Sequence, residues 1–139
     1  MFELDYRLAE DTVVVGDFAL CRLLLSRDAN YPWYILVPRR EEVREIYHLD
    51  EGDRQQLLRE SCLLSEAVTD VHSPDKLNVA ALGNVVAQLH IHHVARYTND
   101  VAWPGPIWGV APPLQYSEQE LLERVQHMRQ VLGGDDFSW

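Results

Sequence analysis

Three of the six histidines fall within four positions, in Gln88-Leu89-His90-Ile91-His92-His93-Val94-Ala95-Arg96. Successive side chains of an extended strand point to opposite faces. His90 and His92 are therefore expected side by side on one face, with Gln88 one step further along it. Leu89, Ile91 and His93 face the other way. A polar row backed by an apolar row predicts a half-buried strand carrying a site. Neutral imidazole suits attack on an electrophile, proton transfer or metal ligation. His-x-His on a strand is also a common metal-ligand pair, so a metal hydrolase is one reading, although no compelling third ligand stands out.

The elements that must position these rings follow from local pattern. Thr12 to Val15 and Ala19 to Leu25 are apolar runs separated by Gly16-Asp17, which predicts a hairpin turning there. Trp33 to Val37 has strand character and stops at Pro38. Tyr47 to Leu49 reads as a short extended piece. Asp50 is a fitting N-cap for a helix from about Glu51 to His72, with Leu57, Leu58, Cys62, Leu64, Ala67, Val68 and Val71 at helical spacing. Leu77 to Leu82 predicts a strand, Gly83-Asn84 a bend, and the run from Val85 or Gln88 to Tyr97 the histidine-bearing strand. The prolines of Trp103-Pro104-Gly105-Pro106-Ile107-Trp108 exclude regular helix or central strand. Ser117-Glu118-Gln119-Glu120 is a capping box for a last helix that ends at Gly133-Gly134. Strands in hairpin-like succession with one long helix and one C-terminal helix predict an α+β, antiparallel-sheet domain.

Composition narrows the function classes. The 139 residues suit a single domain spanning 1–139, and 47% hydrophobic with 24% charged residues is a globular balance. Twelve Lys and Arg against 22 Asp and Glu give a formal charge of −10, which disfavours a nucleic-acid polymer as partner while leaving a small nucleotide admissible. Two cysteines, Cys21 and Cys62, are too few for a disulfide framework, and both read as buried thiols. No signal-like or membrane-length apolar run is present, so a cytoplasmic location is expected.

The stretch from Gly83 to Arg96 resembles the signature of the histidine-triad (HIT) proteins: Gly-Gln, a spacer, then His-φ-His-φ-His-φ-φ and an arginine, where φ is apolar. Asn78, Asp28 and the Trp33–Arg40 strand resemble other parts of that family, and the likeness covers roughly Leu20 to Tyr97. With Arg96 on the family arginine, His92 takes the third triad position, His90 the second, and Gln88 replaces the first histidine. Asn84 stands where the family has glutamine. The resemblance implies a HIT-like, usually homodimeric nucleotide hydrolase or transferase that needs no cofactor. In it His90 attacks an α-phosphorus to give a nucleotidyl-histidine intermediate. His92 and Gln88 would assist, Asn78 and Asn84 would meet phosphate oxygens, and Asp28 a ribose hydroxyl. A dinucleoside polyphosphate or related adenylated compound is the implied substrate, and a nucleotide-binding module without turnover is the alternative.

Other residues carry blander expectations. His93 reads as a structural ring, and His48, His72 and His127 as solvated ones. Trp108 leans towards core cover, and Trp103 fits core or pocket wall equally. An exposed Arg96–Asp100 pair would contribute little, and the acidic residues of both helices read as solvated.

Overall fold

A computed structural model describes residues 1–134 and 136–139. Its centre is a six-stranded antiparallel sheet built from β1 (Thr12–Phe18), β2 (Cys21–Ser26), β3 (Trp33–Pro38), β4 (Lys76–Ala80), β5 (Ile91–Arg96) and β6 (Phe137–Ser138), in the spatial order β4-β5-β3-β2-β1-β6. The mixed α+β architecture expected from the pattern is the one observed. Alternation assigns the two faces. Cys21, Leu23, Leu25, Tyr34, Leu36, Ile91 and Ala95 pack with helices α2 (Glu51–His72) and α3 (Glu118–Leu132) in the main core. On the opposite face, Leu24, Ile35 and Val37 pack under Leu8 of a short helix α1 (Tyr6–Asp11), and Val94 packs with Tyr31, Ala102 and Ile107.

The long helix runs over the residues its pattern demands. Asp50 caps it by accepting from the Asp53 amide, and Ser73 ends it in a left-handed conformation. Its buried stripe is Leu57, Glu60, Leu64, Ala67 and Val68. Leu58 and Cys62 lie outside the stripe and are exposed, which corrects the buried thiol expected at Cys62. Glu60 corrects the solvated acidic face. It is fully buried because its carboxylate accepts the Leu20 and Cys21 amides at 2.9 and 2.8 Å, anchoring the β1–β2 turn to the helix. In α3, Ser117 accepts from the Glu120 amide while its hydroxyl donates to the Glu120 carboxylate.

Other boundaries differ for identifiable reasons. The first hairpin turns at Ala19-Leu20, not at Gly16-Asp17, which lie inside β1 beside a register shift. Gly16 answers a close approach: a Cβ there would lie 2.5 Å from both the Phe137 ring and the Ser138 carbonyl oxygen of β6. Residues Ile46–His48 form a 3-10 turn rather than an extended piece, because His48 Nδ1 accepts the Arg44 and Glu45 amides. The strand after Ser73-Pro74-Asp75 ends at Ala80. The histidine-bearing strand begins only at Ile91, so Gln88 and His90 lie in the irregular segment that leads into it. Among the described residues no helix is long and apolar enough to cross a membrane.

Candidate active site

The half-buried strand expected for the histidines is buried on both faces. Every residue of β5 is shielded, since helices cover one side while α1 and residues 97–116 cover the other. His90 and His92 still share a face as the alternation predicts. Their rings are 4.9 Å apart, centroid to centroid, at 76°, and both border a cavity of about 360 Å³ walled by α1, the Leu82–Val86 segment and Trp108.

Hydrogen bonds set which nitrogens carry protons. His90 Nδ1 lies 2.7 Å from the Gln88 carbonyl oxygen. A carbonyl only accepts, so Nδ1 holds the proton and Nε2 of the neutral ring is bare. His92 is set the other way. Trp33 Nε1 donates to His92 Nδ1 at 3.0 Å, so the His92 proton sits on Nε2. Burial, then the charges of His90 and His93, holds His92 down at about 4, so the ring is neutral at physiological pH. Two neighbouring imidazoles thus present opposite faces of the same chemistry: an unprotonated nucleophile at residue 90 and an N–H donor at residue 92.

His93 points to the helices as expected. Its Nδ1 donates to the Ile91 carbonyl at 3.1 Å, and Ser61 Oγ donates to its Nε2 at 2.7 Å. Burial lowers it to about 4 as well. His72 corrects the expectation of a solvated ring. It sits partly buried against Tyr34, 2.8 Å from the phenol, and burial again lowers it to about 4. Burial also pushes the Tyr34 phenol up, so it stays protonated beside the ring.

The remaining sequence-selected residues divide. Asn84 borders the cavity with His90 and His92. Asp28 borders an adjoining cavity of about 460 Å³ that shares Asp11, Ser26, Trp33 and Trp108 with the first. Its Oδ1 accepts from Asn30 N, Asn30 Nδ2 and Leu114 N, which ties its loop to the later segment. Asn78 is drawn away, because its side-chain oxygen accepts from Arg96 at 2.6 Å. The Gln88 side chain does not join the ring pair. Its oxygen accepts the Asp5 amide and its nitrogen donates to the Glu3 carbonyl.

Arg96 and Asp100 correct the exposed pair. Arg96 is 1% exposed and makes two bonds to the Asp100 carboxylate, at 2.8 and 3.0 Å. Burial pushes Asp100 up, but Arg96 and the Tyr97 and Ala102 amides outweigh it, leaving the carboxyl at about 2. Asp100 also accepts the Trp103 amide, so the pair anchors the proline-rich strap. Trp103 lies over the Arg96 guanidinium. Trp108 does cover core, packing on the cluster of Tyr31, Val94, Ala102 and Ile107, and it also faces the site. It stands edge-on to His92 at 5.2 Å and to Trp33 at 6.3 Å, walling both cavities. Among the described residues no cluster of three or more His, Cys, Asp or Glu is placed to hold a metal ion, so the His-x-His pair finds no third ligand.

Sequence reasoning overlooked Trp33 and α1. Trp33 lies on the same face as Ile35, whose cross-strand partner is His92, so period-two alternation plus the β3–β5 register would have found it. The Tyr6–Asp11 turn gave no comparable signal.

A family model described as the HIT domain matches residues 7–99. A histidine triad protein from Bradyrhizobium japonicum is 46% identical, with 94% of this chain and 98% of that one covered at a TM-score of 0.93. One from Marinobacter aquaeolei VT8 is 48% identical over 95% and 96%, at 0.92. One from Sinorhizobium meliloti 1021 is 35% identical over 94% and 96%, at 0.91. No curated protein matches the chain by sequence.

Proposed function

Because the chain belongs to the histidine-triad family, we propose that it is a nucleotide hydrolase or transferase that cleaves an α-phosphate linkage through a nucleotidyl intermediate on His90. The observation that carries this reading is the bond from His90 Nδ1 to the Gln88 carbonyl, which leaves Nε2 free to attack.

The chemistry follows from that bond. Nε2 of His90 attacks the α-phosphorus in line, a P–N bond forms, and the bond to the leaving group breaks with its electron pair. Positive charge then spreads over the imidazole, where the Gln88 carbonyl dipole stabilises it. His92 donates from Nε2 to a phosphate oxygen as negative charge grows there. Water, or another acceptor, then attacks phosphorus and the P–N bond breaks. His90 returns as the neutral ring, and the water's proton leaves with product or solvent. Asn84, at the cavity edge, would donate its amide to the same phosphate. The Asp28 carboxylate accepts its three hydrogen bonds on Oδ1, leaving Oδ2 for a ribose hydroxyl in the adjoining cavity. Asn78 would act at one remove, through Arg96.

A phosphoanhydride such as a dinucleoside polyphosphate is the preferred substrate class. Its leaving group departs without protonation, and Gln88, standing where we place the first triad histidine, carries no titrating proton. A single domain over residues 1–139, a homodimer and a cytoplasmic location belong to the same proposal. The test is incubation with adenylated compounds, acid-free quenching and mass spectrometry. Wild type should release AMP and carry a nucleotidyl adduct on His90, while His90→Ala should keep nucleotide affinity and lose both. Turnover by His90→Ala at the wild-type rate would refute the mechanism. Nucleotide binding with no turnover by the wild type would favour the binding-module reading.

A further inference from the structure

We propose that Gln88 is a positioning residue that couples the N-terminal arm to His90, and that its side chain never touches the substrate. The chemistry it serves rests on the nucleotidyl-histidine reading above.

Both ends of the Gln88 amide are already engaged. Oε1 accepts the Asp5 amide at 2.9 Å, and Nε2 donates to the Glu3 carbonyl at 2.8 Å. The side chain thereby acts like one rung of a β-ladder, pairing with the backbone of a segment more than 80 residues earlier in the chain. The same residue's own carbonyl accepts from His90 Nδ1 at 2.7 Å. Side chain and backbone of one residue therefore link two separate parts of the fold.

This linkage matters because of where residue 88 lies. It sits in a bend before β5, outside the regular ladder. The following amide, Leu89 N, is held by the Val43 carbonyl at 2.9 Å, which fixes one side of the peptide. The Gln88 side chain supplies the other restraint. The arm is tied to this segment a second time: Arg7 donates to the Val85 carbonyl at 3.1 Å and to the Asp5 carboxylate. Hydrogen bonds weaken steeply as the donor angle falls. A rotation of the 88–89 peptide would release the His90 Nδ1 proton and allow it onto Nε2, blocking the attacking atom. Histidine at this position could not substitute, because its two ring nitrogens diverge whereas the amide oxygen and nitrogen project from one carbon towards the Glu3–Asp5 backbone.

Four variants test the coupling: Gln88→Ala, Gln88→His, and the pair Asp5→Pro and Asp5→Ala. Asp5 has φ of −53°, which proline accepts, so Asp5→Pro removes the amide donor and Asp5→Ala keeps it. The measurements are nucleotidyl-His90 formation from a dinucleoside polyphosphate and nitrogen NMR of the His90 ring without substrate. Gln88→Ala and Gln88→His should each slow adduct formation by about tenfold or more, with KM little changed, and should convert a single Nδ1–H tautomer into a mixture. Asp5→Pro should show the same two changes relative to Asp5→Ala, which keeps the test open if the Gln88 variants fail to fold. Wild-type rates and tautomers in Gln88→Ala, or a faster Gln88→His, would overturn the proposal. So would a rate loss with the Nδ1–H tautomer intact, since Gln88 would then act on the substrate directly. Absence of any adduct in the wild type would sink the hydrolase reading, while the ring tautomers would still decide the positioning role.

Discussion

Replacing Trp33 by Phe removes a single hydrogen bond and tests how the His92 ring is set. The indole N–H reaches His92 Nδ1 at 3.0 Å, and its ring lies 5.6 Å from the imidazole. Phenylalanine keeps an aromatic wall beside His92 and Trp108 but leaves a buried acceptor without its donor. That loss is worth about 1–2 kcal/mol. Two bounds on the rate follow. If the bond served only to select a tautomer, freeing the neutral ring to share two forms would cost about twofold in the population with a proton on Nε2. If all of its energy held the ring in the reactive pose, the cost would reach about thirtyfold. We therefore expect adduct formation to slow by roughly five- to tenfold. The acid limb should move too. With Trp33 donating to it, Nδ1 cannot be protonated without breaking the bond, whereas in Trp33→Phe that site opens and the ring's pKa rises from about 4. Burial keeps it below the free value. A rate–pH profile of both proteins, with NMR titration of His92, reads out both effects. An unchanged rate together with an unchanged acid limb would refute the role given to this indole.

Acid should destabilise the fold before it titrates the carboxylates. His72, His92 and His93 are each held at about 4 by burial, against 6.5 for a free ring. Below about pH 6.5 the unfolded chain takes up protons that the native state refuses until about pH 4, so stability is lost as pH falls through that window, by at most about 3 kcal/mol per ring. The melting temperature should fall steadily between those values, and a flat profile would contradict the burial of these rings. Asp100→Ala should cost about 3–5 kcal/mol in urea unfolding, because it strands a buried guanidinium and frees the strap; a loss below about 1 kcal/mol would mean the pair is effectively solvated.

Much of the architecture was legible because its causes are local. Asp50, Ser117 and the helical spacing of apolar residues delimit α2 and α3 through bonds that span three or four positions. Period-two alternation alone separates His90 and His92 from His93. Errors gathered where one neighbour far along the chain decides the outcome. Gly16 looks like a turn until Phe137 and Ser138 pack against its missing side chain. Glu60 looks solvated until the β1–β2 turn supplies two amides to its carboxylate.

The site divides in the same way. Histidines at alternate positions, an amide before them and an arginine after them are visible in the residues themselves, and they delimit the chemistry to imidazole on a strand. Which nitrogen of each ring is bare is a tertiary matter. A carbonyl in an irregular bend settles it for His90, and an indole from the neighbouring strand settles it for His92. Residue type sets what an imidazole can do; proton placement depends on how the chain bends just before His90 and, for His92, on an indole that strand register brings beside it.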